Sequence, residues 1–223
     1  NVRLPAYRAL YLDQMIGQGE SLYASRDRRF KKLVKEFKTV KDSDFEAPDS
    51  LRGIMRNYQI TGYRWLRTLG AYGFGGILAD DMGLGKTLQV IAVLLAARQE
   101  GKGGTSLVVA PASLVYNWGE EFRRFAPEIH FELITGNQEE RAQKLEQYRS
   151  FDVIVTSYDL LKRDIVHYED KEFAYQIVDE AQYIKNHTTA AAKAVKGVKS
   201  KTRYALTGTP IENRLSELWS IFD

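Results

Sequence analysis

The chain has 223 residues, 44% hydrophobic and 27% charged, with a formal net charge of +3. That balance is ordinary for a soluble globular protein, and the length suffices for one domain, or a domain with an appendage, around a sizeable core. The absence of cysteine excludes a disulfide framework and thiolate metal sites, and the small net charge leaves partners to be inferred from local patches. The longest apolar run, Val90–Ala97, is far short of a membrane span, and the N-terminus has no signal-peptide pattern. These readings place the protein in the cytoplasm with no membrane partner.

Residues 1–47 differ in character from the rest of the chain. Within residues 25–38, Phe30, Leu33, Val34 and Phe37 fall at helical spacing and predict an amphipathic helix. Its polar face carries seven basic residues against Asp27 and Glu36; a solvated face is the simpler use of that charge, phosphate contact the alternative. Residues 41–50 are acidic, contain Pro48 and read as a linker. The expected division is a helical extension, or the tail of an upstream domain, over 1–47 and a globular lobe over 48–223.

From residue 51 the chain alternates. A helical stretch over 56–70 comes first. Short apolar runs then predict buried strands at Gly76–Asp80, Ser106–Ala110, Phe131–Ile134, Val153–Thr156, Ala174–Asp179 and Tyr204–Thr207. Helical patterns over Thr87–Arg98, Leu114–Phe125, Gln138–Tyr148, Ala190–Val198 and Glu212–Phe222 separate most of them and close the chain. This order predicts an α/β fold with a mainly parallel sheet covered by helices on both faces.

The stretch "LADDMGLGKTLQV" (78–90) nearly matches the phosphate-loop pattern G-x-x-x-x-G-K-[ST], but Asp80 stands where the first glycine belongs. The context fits all the same. A buried strand precedes the loop and a helix succeeds it, so free N–H groups and the positive end of the helix dipole would face an anion. Met82, Gly83, Leu84 and Gly85 supply the loop, and the glycines let the backbone approach closely. Lys86 would reach the outer phosphates of ATP and Thr87 would hold Mg²⁺. Such a loop calls for an acidic residue at a second strand end. "YQIVDEAQ" (175–182) provides Asp179 as the metal carboxylate and Glu180 as the group that orients and deprotonates the attacking water. Taken alone, that pair would read as a helix cap.

Five segments, "DDMGLGKT", "VVAPASLVYNW", "VIVTSYDLL", "DEAQYIKN" and "ALTGTPIEN", resemble in order and spacing the first RecA-like lobe of Swi/Snf-type DNA translocases of helicase superfamily two. That family carries an aspartate in place of the first loop glycine. Its usual form is Asp-Glu-Met-Gly, from which Asp81 departs. "DEAQ" points to the bacterial branch. The resemblance covers roughly residues 53–223.

It implies roles residue by residue. In "MRNYQITGYRWL", Gln59 would read the adenine edge with an amide that both donates and accepts, supported by Arg56 and Tyr58. Trp65 and Leu66 would be core. Ser113, with Thr135, Gly136, Thr156 and Ser157, would contact a DNA strand, as would Lys185 and Asn186. Trp118 would pack rather than stack on a base. From Lys185 to Arg203 there are six Lys or Arg and no Asp or Glu, a run suited to duplex phosphates, with a plain solvated helix as the alternative. Thr207 and Thr209 would sense the γ-phosphate and bond across to Gln182. RNA helicases generally carry Ser-Ala-Thr there, and "LTGTPIENRLSELW" also disfavours a restriction-type helicase.

The resemblance further implies a second RecA-like lobe bearing arginine fingers, for which residues 1–223 show no motif. The expectation is thus half of an ATP-dependent double-stranded DNA translocase, an excised fragment starting at Asn1, with little turnover by itself. In the complete bacterial, nucleoid-associated protein, the object moved would be a nucleoprotein or a stalled polymerase. The alternative is a nucleotide-gated binding module. Intact Lys86, Thr87, Asp179 and Glu180 argue against it.

Overall fold

The computed structural model describes residues 45–81, 83–101 and 103–208, and also Arg28 and Lys35. The chain forms two compact units, residues 1–46 and 47–223. In the first, Arg28 and Lys35 have helical backbone and exposed side chains. The rest of the helix expected over 25–38, Met82, Thr209 and the helix expected at Glu212–Phe222 lie outside the described residues.

The second unit opens with a single turn, α1 (Asp49–Arg52), and a longer helix, α2 (Asn57–Ala71). Strands and helices then alternate as β1 (Gly76–Leu78), α3 (Lys86–Gln99), β2 (Ser106–Ala110) and α4 (Val115–Phe125). They continue as β3 (Phe131–Leu133), α5 (Gln138–Glu146), β4 (Val153–Ser157), α6 (Tyr158–Arg163), β5 (Glu172–Val178), α7 (Ala190–Gly197) and β6 (Lys199–Leu206). The six strands make one sheet in the order β1-β6-β5-β2-β4-β3. Every pairing is parallel.

A parallel sheet needs cover on both faces, which is why β2 and β4 are buried at every position and read as continuous apolar runs. On one side α2 packs on α3, α3 on α4, and α4 on β3 and β4. α3 is buried from Leu88 to Ala97 almost all round, as expected of an interior helix. The other core cluster joins Leu145 of α5, Leu161 of α6 and Val195 of α7 to Leu107, Val109, Ile154 and Ala205 of the sheet. Among the described residues no helix is long and apolar enough to cross a membrane.

The α2–α3 contact depends on a glycine. A Cβ on Gly62 would sit 1.8 Å from Oε1 of the fully buried Gln89. Intrinsic propensity alone would favour alanine here by about 1 kcal/mol, whereas overpacking costs about 1–3 kcal/mol. Gly62→Ala is therefore expected to be destabilising in a urea melt; a raised midpoint would show that Gln89 finds another rotamer.

Candidate functional site

Because all six strands are parallel, their C-terminal ends share one rim, the place where open α/β sheets bind ligands. The sheet order sets the order of segments along it. The loop after β1 comes first, then Thr207 after β6, Asp179 and Glu180 after β5, and Pro111–Trp118 after β2. The segments after β4 and β3 complete the row. Two hydrogen bonds extend the ladder to the rim: Thr207 N–H donates to Leu78 O at 3.1 Å and Asp179 N–H to Val109 O at 2.8 Å.

The loop after β1 is built on two left-handed glycines, Gly83 (φ 84°) and Gly85 (φ 71°). Gly85 caps α3, so the free N–H groups of the first turn face the loop. It must be glycine for a second reason: a Cβ would lie 2.3 Å from Gln59 Nε2. That amide donates to Leu84 O at 3.0 Å, and its Oε1 accepts from Arg56 N–H at 2.8 Å. Tyr58, which is exposed, donates its hydroxyl to Leu84 O at 3.1 Å. Gln59 thus ties the start of α2 to the loop, leaving one N–H and one lone pair for a base.

Asp80 has a local reason for replacing glycine. Its Oδ2 accepts from Nε2 of the buried Gln89 at 3.1 Å, bracing the loop's first residue against α3. Lys86 folds back, with Nζ donating to Asp80 O at 2.7 Å and Asp81 O at 3.0 Å. A phosphate in the cleft would compete with these neutral carbonyls for the ammonium, because it adds an ion pair to the hydrogen bond.

At the end of β5, Asp179 is nearly buried, at 8% exposure. Its Oδ2 accepts from Trp118 Nε1 and its Oδ1 from the Glu180 N–H, both at 2.9 Å. Burial pushes its carboxyl above the usual carboxylate range, while these two donors pull the other way. Glu180 is the one non-glycine with positive φ among the described residues (φ 48°, ψ 54°). That conformation costs about 1–2 kcal/mol. Gln182 Nε2 donates to Glu180 Oε2 at 2.5 Å, and Thr207 Oγ1 donates to Gln182 Oε1 at 3.0 Å. The contact anticipated between Thr207 and Gln182 is therefore formed, and it continues to Glu180.

Gly83, Gly85, Lys86, Thr87, Asp179 and Glu180 line one open cleft of about 300 Å³. Leu114, Asn117, Trp118 and Glu121 close its other wall. Sequence reasoning does not bring that wall here. Asn117 and Glu121 share a face of α4 at i, i+4 spacing, a visible signal, but only the adjacency of β2 and β5 lays α4 over the acid pair. Among the described residues no three His, Asp or Glu side chains gather as a metal cage. One carboxylate and one hydroxyl facing a common cleft suit Mg²⁺, which takes few protein ligands and the rest from phosphate and water.

The remaining candidates separate. Ser113, Lys185, Asn186 and Gly136 are exposed on the rim segments, and Thr135 is half-buried. Gly136 (φ 103°) is held by its carbonyl, which accepts from Arg141 Nη1 at 2.7 Å. Arg141 also pairs with the buried Asp164 through two bonds of 2.6 and 2.8 Å. Asn186 Oδ1 is engaged by Thr188. Thr156 is fully buried, and Ser157 caps α6 by accepting from Leu160 N–H at 3.2 Å. Both residues are thus buried in this conformation, where the sequence expectation has them at a DNA strand. The basic run from Lys185 to Arg203 is likewise not one surface. Lys199 and Lys201 start β6 and so lie at the opposite end of the sheet, about 20 Å or more from the rim. Lys199 bonds Glu169 O, and half-buried Arg203 bonds Gln176 Oε1 at 2.7 Å.

Comparison with known proteins bears on the family and the fold. A family model of the SNF2-related domain matches residues 58–223, and one described as bacterial SNF2 helicase associated matches residues 1–48. An uncharacterized ATP-dependent helicase of Mycoplasma genitalium is 46% identical over 170 residues, which cover 76% of this chain and 16% of that protein. The TATA-binding protein-associated factor MOT1 of Saccharomyces cerevisiae is 36% identical over 93% of this chain and 12% of its own length. The chain thus spans less than a fifth of these curated relatives. The solved SWI2/SNF2 ATPase core of Sulfolobus solfataricus in complex with dsDNA is 48% identical, with a TM-score of 0.69 over 74% of this chain and 34% of that one. By the family match over most of its length, and by a fold and rim arrangement that accord with it, the chain belongs to the SNF2-related domain family.

Proposed function

We propose that this chain is the ATP- and DNA-binding lobe of an ATP-dependent double-stranded DNA translocase or remodeller. The observation that carries the reading is the sequence of neighbours β1-β6-β5, which sets the phosphate loop, Thr207 and the Asp179–Glu180 pair side by side. The loop N–H groups and Lys86 hold the phosphates of ATP, while Gln59 and Arg56 serve the base side. Thr87 and Asp179 hold Mg²⁺, which when bound neutralises phosphate charge. Glu180 orients and deprotonates the water, and Gln182 and Thr207 keep its carboxylate aimed into the cleft. Ser113, Thr135 and Gly136 from the far half of the rim, and Lys185 and Asn186 from the segment after β5, contact one DNA strand. A second RecA-like lobe completes the engine, and the DNA-bound target is a nucleoprotein or polymerase in the bacterial cytoplasm.

The test is a fluorescent-nucleotide titration of the chain with Mg²⁺. Lys86→Ala is expected to weaken binding roughly 10–100-fold, the worth of a charge-assisted hydrogen bond. Equal affinity of the two proteins would sink the reading.

A further inference from the structure

Trp118 is the largest of the fully buried side chains, and packing with Phe122 accounts for its apolar surface. Packing does not account for where its N–H points. A buried indole N–H needs an acceptor, and a backbone carbonyl would serve. Here the acceptor is a carboxylate, Asp179 Oδ2, at 2.9 Å and from an element 61 residues away in sequence. The other oxygen, Oδ1, is pinned by the Glu180 N–H. With both oxygens anchored, the carboxylate has one orientation, and each oxygen keeps a lone pair for a further partner.

We propose that Trp118 is a positioning residue for the divalent cation. Its indole N–H fixes the Asp179 carboxylate in the pose that receives the metal. The inference rests on the proposed role of Asp179 as the metal carboxylate. It also links the two halves of the rim, because Trp118 lies in the first turn of α4, shortly after the exposed Ser113. A second tie from the far half reaches the same residue: the Tyr158 hydroxyl donates to Asp179 O at 2.5 Å, and its ring stacks on the exposed Tyr183 at 5.5 Å. Outer-shell donors of this kind are typically worth 10–100-fold in metal affinity.

The test measures fluorescent ADP binding to the 223-residue chain, first in EDTA and then against rising Mg²⁺. Trp118→Phe keeps an aromatic ring and deletes the donor. The expected result is unchanged affinity in EDTA and about a 10–100-fold rise in the Mg²⁺ concentration that half-saturates the metal-dependent tightening. Should Trp118→Phe fail to fold, benzothienylalanine at position 118 decides the matter, since it keeps the bicyclic shape and replaces N–H with sulfur. A variant titrating with Mg²⁺ like the wild type would overturn this inference alone. So would equal loss with and without Mg²⁺, the mark of a purely structural role. A wild-type chain whose nucleotide affinity ignores Mg²⁺ would instead remove the metal-carboxylate reading, and this inference with it.

Discussion

If the proposed reading holds, Glu180→Gln is expected to lower ATP hydrolysis by the longer protein with its second lobe about 10²–10⁴-fold, the usual contribution of a positioned general base. Nucleotide affinity should be retained. Glutamine is nearly isosteric, its carbonyl oxygen can still accept from Gln182 Nε2, and the backbone strain at φ 48° is unchanged. The variant thus removes basicity and little else. Single-turnover hydrolysis with saturating nucleotide and duplex DNA separates the outcomes. Unaltered turnover would transfer the base role to another group, of which Glu121 on the opposite wall is the nearest in kind. The strained left-handed backbone at this residue is consistent with a functional constraint, since such conformations persist where the surrounding structure over-determines them.

Arg141→Ala is expected to destabilise the lobe by about 3 kcal/mol, because it leaves Asp164 as an uncompensated buried charge. The side chains of Arg141 and Asp164 are only 9% and 4% exposed. The alanine also strands the Gly136 carbonyl, so the segment after β3 loses its tether to the end of α6. Guanidinium melts give the stability change. The double variant Arg141→Met, Asp164→Leu should recover most of it, since apolar replacement of a buried pair is often neutral or better. Failure of the double variant to recover stability would mean that the Gly136 tether, not the charge pair, carries the loss. If the reading of Thr135 and Gly136 as DNA contacts holds, the double variant should still bind duplex DNA less well than the parent.

Much of the architecture is legible residue by residue. Ser106–Ala110 reads as a strand because five buried apolar or small residues in a row suit a position covered on both faces, and β2 has those limits. The helix α3 is announced by Gly85 at its start and an unbroken apolar run behind it. Other elements are hidden. Tyr158–Arg163 forms a helix of six residues, too short for a period to show, and the hydroxyls leading into it read as a nucleic-acid contact instead. β6 begins at Lys199, not Tyr204. Its first half alternates Lys199, Lys201 and Arg203 with Ser200 and Thr202, so charge masks the period of two. The segment therefore merges with the basic stretch before it.

The candidate site divides in the same way. By itself the sequence determined which groups are chemically able to act: a glycine loop followed by Lys86 and Thr87, an acid pair at a strand end, and a hydroxyl in "LTGTP". Local spacing carries those signals, because a loop, its strand and its helix are contiguous in the chain. Only the tertiary structure decided which of these groups meet. Strand order is a non-local property, and it places β6 between β1 and β5, so that Thr207 reaches Gln182 and, through it, Glu180. The same order lays α4 over β5 and turns Trp118 from a packing residue into a donor to Asp179. It also separates Lys185 from Lys199 across the length of a strand. No period or motif encodes those distances; they arise from how six parallel strands sort themselves to bury both faces of one sheet.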